Sequence, residues 1–330
     1  MTGSFDAGER FERRAMGSPL RLTIVGAPPA GAADAWRQVS DEFELAEEAL
    51  SRFRESSDLT TVNRAAGSGR CIRVDRRLAD ALVAADRAGR ITGGLFDARV
   101  LVDLERLGYA GVRLDVAVTA DDRTAAAHDG GRRYPTGDHR WLTLDPRADE
   151  IALAGPVDLG GIGKGLALRW AWRRVARAGL VDGDGGALLE AGGDLVAGGQ
   201  APQGGPWIIS IEDPAGGDDP IATVAVPGGA LATSSTLVHQ WTAADGRTVH
   251  HLVDPRSGEP GGAGLLSVTV AGPDPAWAEV WSKCLFLCGR ADISALARGR
   301  GLAAWWVTDE GTVEMTAGAR IRTTWLAAEA

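Results

Sequence analysis

One segment limits the fold more than any other. Asp158-Leu159-Gly160-Gly161-Ile162-Gly163-Lys164-Gly165 runs straight into a stretch whose apolar residues, Ala167, Trp170, Ala171, Val175 and Ala178, recur at helical spacing. A glycine-rich turn at a helix N-terminus lets backbone approach another group closely. It also aims amide N–H groups, backed by the positive end of the helix dipole, at one point in space. Such a turn is a ready anion site, and Lys164 adds a full positive charge to it. The spacing is neither that of a P-loop nor the G-x-G-x-x-G of a strand-to-helix dinucleotide fold. Taken alone, the turn reads more readily as a helix start that merely packs closely.

Around this turn the periodicities alternate. Leu20–Val25 reads as a strand. Trp36, Val39, Phe43, Ala46, Leu50 and Phe53 step by three and four, which predicts an amphipathic helix with Asp34 as its N-cap. A second helix is expected over 76–90 behind Asp75, and others over 164–178 and 275–288. Strand-like runs fall at 150–154, 188–190, 207–212, 223–226 and 267–270, with a hairpin loop over 213–220 and an irregular surface connection over 121–141. With no repeat and no separating linker, the order implies a mixed α/β body, a single compact domain over 16–330 behind a disordered segment over 1–15.

Composition narrows the function class. A net charge of −9 argues against a nucleic-acid partner, whose phosphates call for a basic stripe. No apolar run approaches the ~18 residues of a membrane span, so no membrane insertion is expected. The charged first sixteen residues carry no apolar leader core. Cys71, Cys284 and Cys288 form no metal-ligand pattern, and the last two read as small core residues. These features together suggest the cytoplasm.

Further motifs lie on both sides of the turn in a telling order. They are Met16-Gly17-Ser18; Ser51, Phe53, Ser57 and Leu59 at S-x-F-x-x-x-S-x-L spacing; Thr92-Gly93-Gly94-Leu95-Phe96-Asp97; Ala191-Gly192-Gly193-Asp194; Ala232-Thr233-Ser234-Ser235; and His250-His251-Leu252-Val253-Asp254-Pro255-Arg256-Ser257-Gly258. Each is weak singly. In this order, across about four-fifths of the chain, they resemble the ApbE family, the FAD:protein FMN transferases. The resemblance implies that FAD is bound, its pyrophosphate cleaved, and FMN attached to a Thr or Ser hydroxyl of an acceptor protein, with AMP released. It maps flavin contacts onto Met16, Phe53, Leu95, Phe96, Asp97, Asp158, Lys164 and Leu252, and the general base onto His251. A hydroxyl is a poor nucleophile until a base takes its proton, and a histidine with a pKa near ~6.5 suits that task. His250 is the neighbouring alternative; in an extended segment the two would point to opposite sides. A non-catalytic FAD-binding protein and an FAD pyrophosphatase remain open as alternatives.

The chain departs from the family at its metal site. The resemblance implies a Mg²⁺ held by a backbone carbonyl of the glycine turn, here Gly161, and by Asp and Thr of an A-D-x-x-x-T helix, here Glu279 and Lys283. Glu279 keeps an oxygen ligand. Lys283 offers no acceptor. Either the two form an ordinary surface pair four residues apart on a helix, or the Lys283 ammonium takes the metal's place and neutralises the FAD pyrophosphate. The second reading expects FAD binding with little dependence on Mg²⁺. Ser235, where the family has Gly, is expected to narrow the approach of the acceptor peptide.

Overall fold

The computed structural model describes residues 8–109, 141–145, 147–237 and 239–327. Two compact units emerge: 1–47, 162–235 and 263–330 form the first, 48–161 and 236–262 the second.

The first unit is built on an eight-stranded sheet whose strands lie in chain order, each antiparallel to the next. They are β1 (Glu9–Ala15), β2 (Ser18–Val25), β3 (Gly186–Ala191), β4 (Asp194–Gly199), β5 (Gly229–Ser235), β6 (Leu265–Gly272), β7 (Ala303–Thr308) and β8 (Val313–Met315). Helices α1 (Pro29–Leu50), α2 (Gly163–Arg177), α3 (Pro275–Leu287) and α4 (Gly289–Gly299) lie between strands in sequence. Alternation explains β2: Leu20, Leu22 and Ile24 are buried and join Val39, Phe43, Leu168, Val175 and Leu189 in one core. A second core gathers Leu195, Trp207, Val224, Leu231, Trp305 and Val307. Trp207 and Val224 come from a three-stranded sheet of Trp207–Ile211, Ala222–Val226 and Thr323–Leu326, whose first two strands are joined by the expected 213–220 loop.

Two expectations are corrected here. Residues 9–15, expected to be disordered, form β1, paired residue for residue with β2 from Glu9↔Ile24 to Ala15↔Ser18. An edge strand needs no apolar face of its own length, so its charges hid it; buried Ala15 and Phe11 anchor it, the latter stacked on Trp36 with ring centroids 5.6 Å apart. Asp34 is not the N-cap of α1, because the helix begins at Pro29, whose fixed φ suits the first helical position. Asp34 instead pairs with Arg37 one turn on.

In the second unit, helix Arg76–Ile91 starts where expected: the Asp75 carboxylate accepts the Arg77 amide at 2.8 Å, and Leu78, Leu82 and Ala85 are buried. A helix that periodicity missed, Asp58–Ala65, is capped by Ser57. Its Asn63 side chain grips the backbone of Val157, donating to the carbonyl at 2.8 Å and accepting from the amide at 2.9 Å. The expected connection over 121–141 lies outside the described residues except for Trp141.

Candidate active site

In the first unit, the motif residues meet at the ends of two hairpins. Met16-Gly17 joins β1 to β2, and Gly192-Gly193 joins β3 to β4, each a two-residue loop. All four have positive φ: 49° and 74°, 59° and 91°. Two-residue hairpins of this type demand positive φ at both loop positions, which glycine adopts freely and methionine does not. Met16 is therefore held in a costly conformation, with its amide donating to Glu47 Oε2 at 3.1 Å. Because β2 pairs with β3, the two turns lie side by side: a Cβ on Gly192 would stand 2.5 Å from Ser18 Oγ.

Beside these turns α2 begins, and its N-terminus already holds an anion. The Gly165 amide donates to Glu279 Oε2 at 2.8 Å. Gly165 has to be glycine, since a Cβ there would fall 2.5 Å from Ala276 Cα and 2.7 Å from the Pro275 carbonyl. Lys164 Nζ is ion-paired with Asp194 and lies 3.5 Å from Glu279 Oε1. The other Asp194 oxygen accepts the Thr233 amide at 3.1 Å. Burial works against the Lys164 charge, but Asp194 and then Glu279 outweigh it and raise its pKa above the usual lysine range. Burial pushes the Glu279 carboxyl up; Lys164 and Lys283 pull against it, and Asp194 adds to the rise. The expectation of a surface pair for Glu279 and Lys283 thus fails for its first member: Glu279 is 3% exposed. Helix α3 turns inward on Ala276, Val280, Cys284 and Leu287, whereas Trp277 and Trp281 remain partly exposed. A carboxylate is tolerated among those apolar residues because an amide and an ammonium meet it.

In the second unit, Asp158 is the hub of the glycine turn. Its amide donates to the Ala98 carbonyl at 2.7 Å, its Oδ2 accepts the Gly160 amide at 2.9 Å, and its Oδ1 lies 2.8 Å from Arg52 Nε. The Arg52 guanidinium lies against two rings, 4.2 Å from the centroid of Phe53 and 4.9 Å from that of Tyr109. Phe53 is not a core residue, as helical stepping implied; it lies beyond the end of α1 and is 51% exposed. The loop carrying Leu95-Phe96-Asp97 is tied by Thr92, whose hydroxyl donates to the Ala88 carbonyl and accepts the Phe96 amide at 3.0 Å. Phe96 is buried, and the Asp97 carboxylate is paired with Arg99 at 2.6 Å. Leu252 is fully buried too.

The two histidines make different contacts. His250 ends strand Thr248–His250, and its Nδ1 accepts the Leu252 amide at 3.3 Å. Burial lowers its pKa below the ordinary histidine value, partly offset by a bond to the Gly261 backbone. His251 instead joins an aromatic group: its ring stands edge-on to His239 at 4.9 Å and 6.3 Å from Tyr109, which stacks on Trp241 at 4.9 Å. Sequence reasoning did not single out Arg52, which holds a variable position of the Ser51–Leu59 motif, nor Tyr109, His239 or Trp241, which lie in no motif. Asp194 could have been found, since its Ala191-Gly192-Gly193-Asp194 motif was legible.

The model of the ApbE family matches residues 16–306. The chain belongs to the ApbE family. Its relatives include the FAD:protein FMN transferases of Salmonella typhimurium, 28% identical over 94% of this chain and 87% of that one, and of Escherichia coli K12, 25% identical over 91% and 84%. Among solved structures, the ApbE protein of Thermotoga maritima superimposes with a TM-score of 0.80 at 24% identity, covering 96% of this chain and 99% of that one. The flavinyl transferase ApbE of Pseudomonas stutzeri gives 0.76 at 26%, covering 96% of each. The mixed α/β expectation therefore holds.

At the two helix positions that the resemblance to the family assigns to a metal, the residues present fit Mg²⁺ poorly. Mg²⁺ takes oxygen ligands at ~2.0–2.1 Å in near-octahedral geometry. Of the two helix positions, Lys283 has no acceptor; at Glu279, Oε2 takes the Gly165 amide and Oε1, which has no hydrogen bond, lies 3.5 Å from the Lys164 ammonium. Among the described residues, no group of three or more His, Cys, Asp or Glu side chains is placed to hold a metal ion. Gly161 belongs to the second unit and Glu279 and Lys283 to the first.

Proposed function

We propose that the protein is an FAD:protein FMN transferase that moves FMN from FAD to a Thr or Ser hydroxyl of an acceptor protein. The observation that carries this reading is the continuous family match over 16–306, within which the motif residues form built, charged arrangements instead of loose loops. Chemically, the acceptor oxygen attacks the FMN-side phosphorus. The anhydride P–O bond breaks, its electron pair leaves on AMP, and the hydroxyl proton passes to a base.

Within this proposal His251 is that base. Its ring lies against Tyr109 and His239, whereas His250 is spent on backbone bonds. In the first unit, Met16, Lys164 and Lys283 are the proposed FAD contacts. In the second they are Phe53, Leu95, Phe96, Asp97, Asp158 and Leu252. The exposed Phe53 ring, backed by Arg52, supports a stacking role. Burial of Phe96 and Leu252 and the Asp97–Arg99 pair favour roles for those three in presenting backbone. Three free cysteines suit a cytoplasmic setting, and no helix among the described residues is long and apolar enough to cross a membrane.

The test is to incubate the purified protein with FAD and a Thr- or Ser-containing acceptor peptide, following AMP release and flavin fluorescence on the peptide. AMP with labelled peptide supports transfer. AMP without label would make the protein an FAD pyrophosphatase. FAD binding without AMP would make it a non-catalytic flavin binder.

A further inference from the structure

The positive charge at the glycine turn is already committed within the protein. Lys164 is held by two acidic groups, Asp194 and Glu279, both almost wholly buried. One of the helix amides that would greet a phosphate, that of Gly165, is taken by Glu279. A dinucleotide pyrophosphate brings two negative charges to this neighbourhood, and an arrangement of one ammonium between two carboxylates cannot attract it. Some further positive charge is required. In a site built for a divalent cation, the cation supplies it; here the ligand set described above is unsuited to one.

Lys283 is the group in position to replace it. It follows Glu279 by one turn on α3, so both project from one side of that helix, and its charge acts on the Glu279 carboxyl. Helix α3 cannot rotate to move it elsewhere. Its backbone touches α2 at Gly165, its N-cap Asp274 accepts the Trp277 amide at 3.1 Å and pairs with Arg169 at 2.5 Å, and its buried Ser282 hydroxyl meets Ser234 of β5 at 2.9 Å. Lys283 thus brings a second ammonium to the helix that carries Glu279. A divalent ion placed there would meet an ammonium within a helical turn of its only side-chain oxygen ligand on α3.

We propose that this protein binds and cleaves FAD without a divalent metal ion, the Lys283 ammonium serving as the cation that neutralises the pyrophosphate. Lys283 moves no proton in this scheme. It stabilises negative charge on the phosphates as the anhydride bond breaks, while Lys164 fixes Asp194 and Glu279. The inference rests on the flavin-transferase reading above.

The experiment is an FAD titration followed by flavin fluorescence, in EDTA and again in millimolar Mg²⁺, on the wild-type protein and on Lys283→Thr and Lys283→Met. Wild type is expected to bind FAD with Kd values within about twofold in the two buffers. Lys283→Met should weaken binding at least tenfold in both. Lys283→Thr should weaken it as much in EDTA and recover in Mg²⁺, and Mn²⁺ should give a bound electron-spin-resonance signal with this variant but not with wild type. Wild-type binding that strengthens tenfold or more with Mg²⁺, or a bound Mn²⁺ signal in the wild type, overturns the proposal while leaving the flavin reading intact. Absence of FAD binding in both buffers overturns the two together. The wild-type comparison stands even if a variant misfolds.

Discussion

At the residue scale, the two histidines make opposite predictions. His251→Ala should lower the rate of AMP release with acceptor by about 10²–10⁴-fold, the usual range for losing a general base, while FAD affinity changes less than threefold. His250 speaks through stability. Burial lowers its folded pKa below the ordinary 6.5, so just under that pH the unfolded chain holds more protons than the folded one. Stability contributed by a neutral His250 is therefore complete above about pH 6.5 and falls as pH drops. Melting curves from pH 7.5 to 5 should show wild type losing Tm more steeply than His250→Gln; parallel curves would remove His250 from this account. Arg52 is a third case. Its pair with Asp158 is nearly buried, with side chains 9% and 14% exposed, and removing one member of such a pair leaves a buried charge alone. Arg52→Ala should cost about 3 kcal/mol in denaturant unfolding, with Arg52→Lys recovering only part, because ammonium lacks the planar face that lies on Phe53 and Tyr109.

At the element scale, the site depends on backbones brought unusually close. Gly165→Ala would force α2 away from α3, since the new Cβ meets main-chain atoms that cannot swing aside. Overpacking of this kind costs about 1–3 kcal/mol. The loss in FAD affinity should be larger than the loss in stability, because the Gly165–Glu279 hydrogen bond stretches with it. Parallel titrations and melts of Gly165→Ala and, as a control at an exposed helical glycine with open space around it, Gly299→Ala check this. Element types were legible beforehand where the periodicity is strong. Helices with an apolar stripe and a capping acid, such as Arg76–Ile91 behind Asp75, announce themselves through 3.6-residue spacing and a side chain that can accept an amide. Of those missed, β1 is a charged edge strand and Asp58–Ala65 a helix of eight residues with only Leu59 and Val62 buried, too short for periodicity to register; β4, β5, β7, β8 and α4 were not anticipated either.

At the scale of the whole molecule, each unit is assembled from separate stretches of chain, three in the first and two in the second. Ligand binding should register as global stabilisation: FAD at ~100 times its Kd should add about 2.7 kcal/mol to unfolding, in EDTA as fully as in Mg²⁺. The sequence by itself determined which residues belong to the site's vocabulary. Glycine pairs needing positive φ, an acid opening the turn, a lysine behind it and a histidine before Leu252 are local chemical requirements that survive as motifs. Only the tertiary structure decided how those groups are spent. That Lys164 answers Asp194 and Glu279, that Glu279 is buried at the start of α2, and that His251 lies beside Tyr109 and His239 follow from strands and helices apart in the chain. Ion pairing and burial act through space, and no spacing along the chain encodes the distance between Gly165 and Glu279.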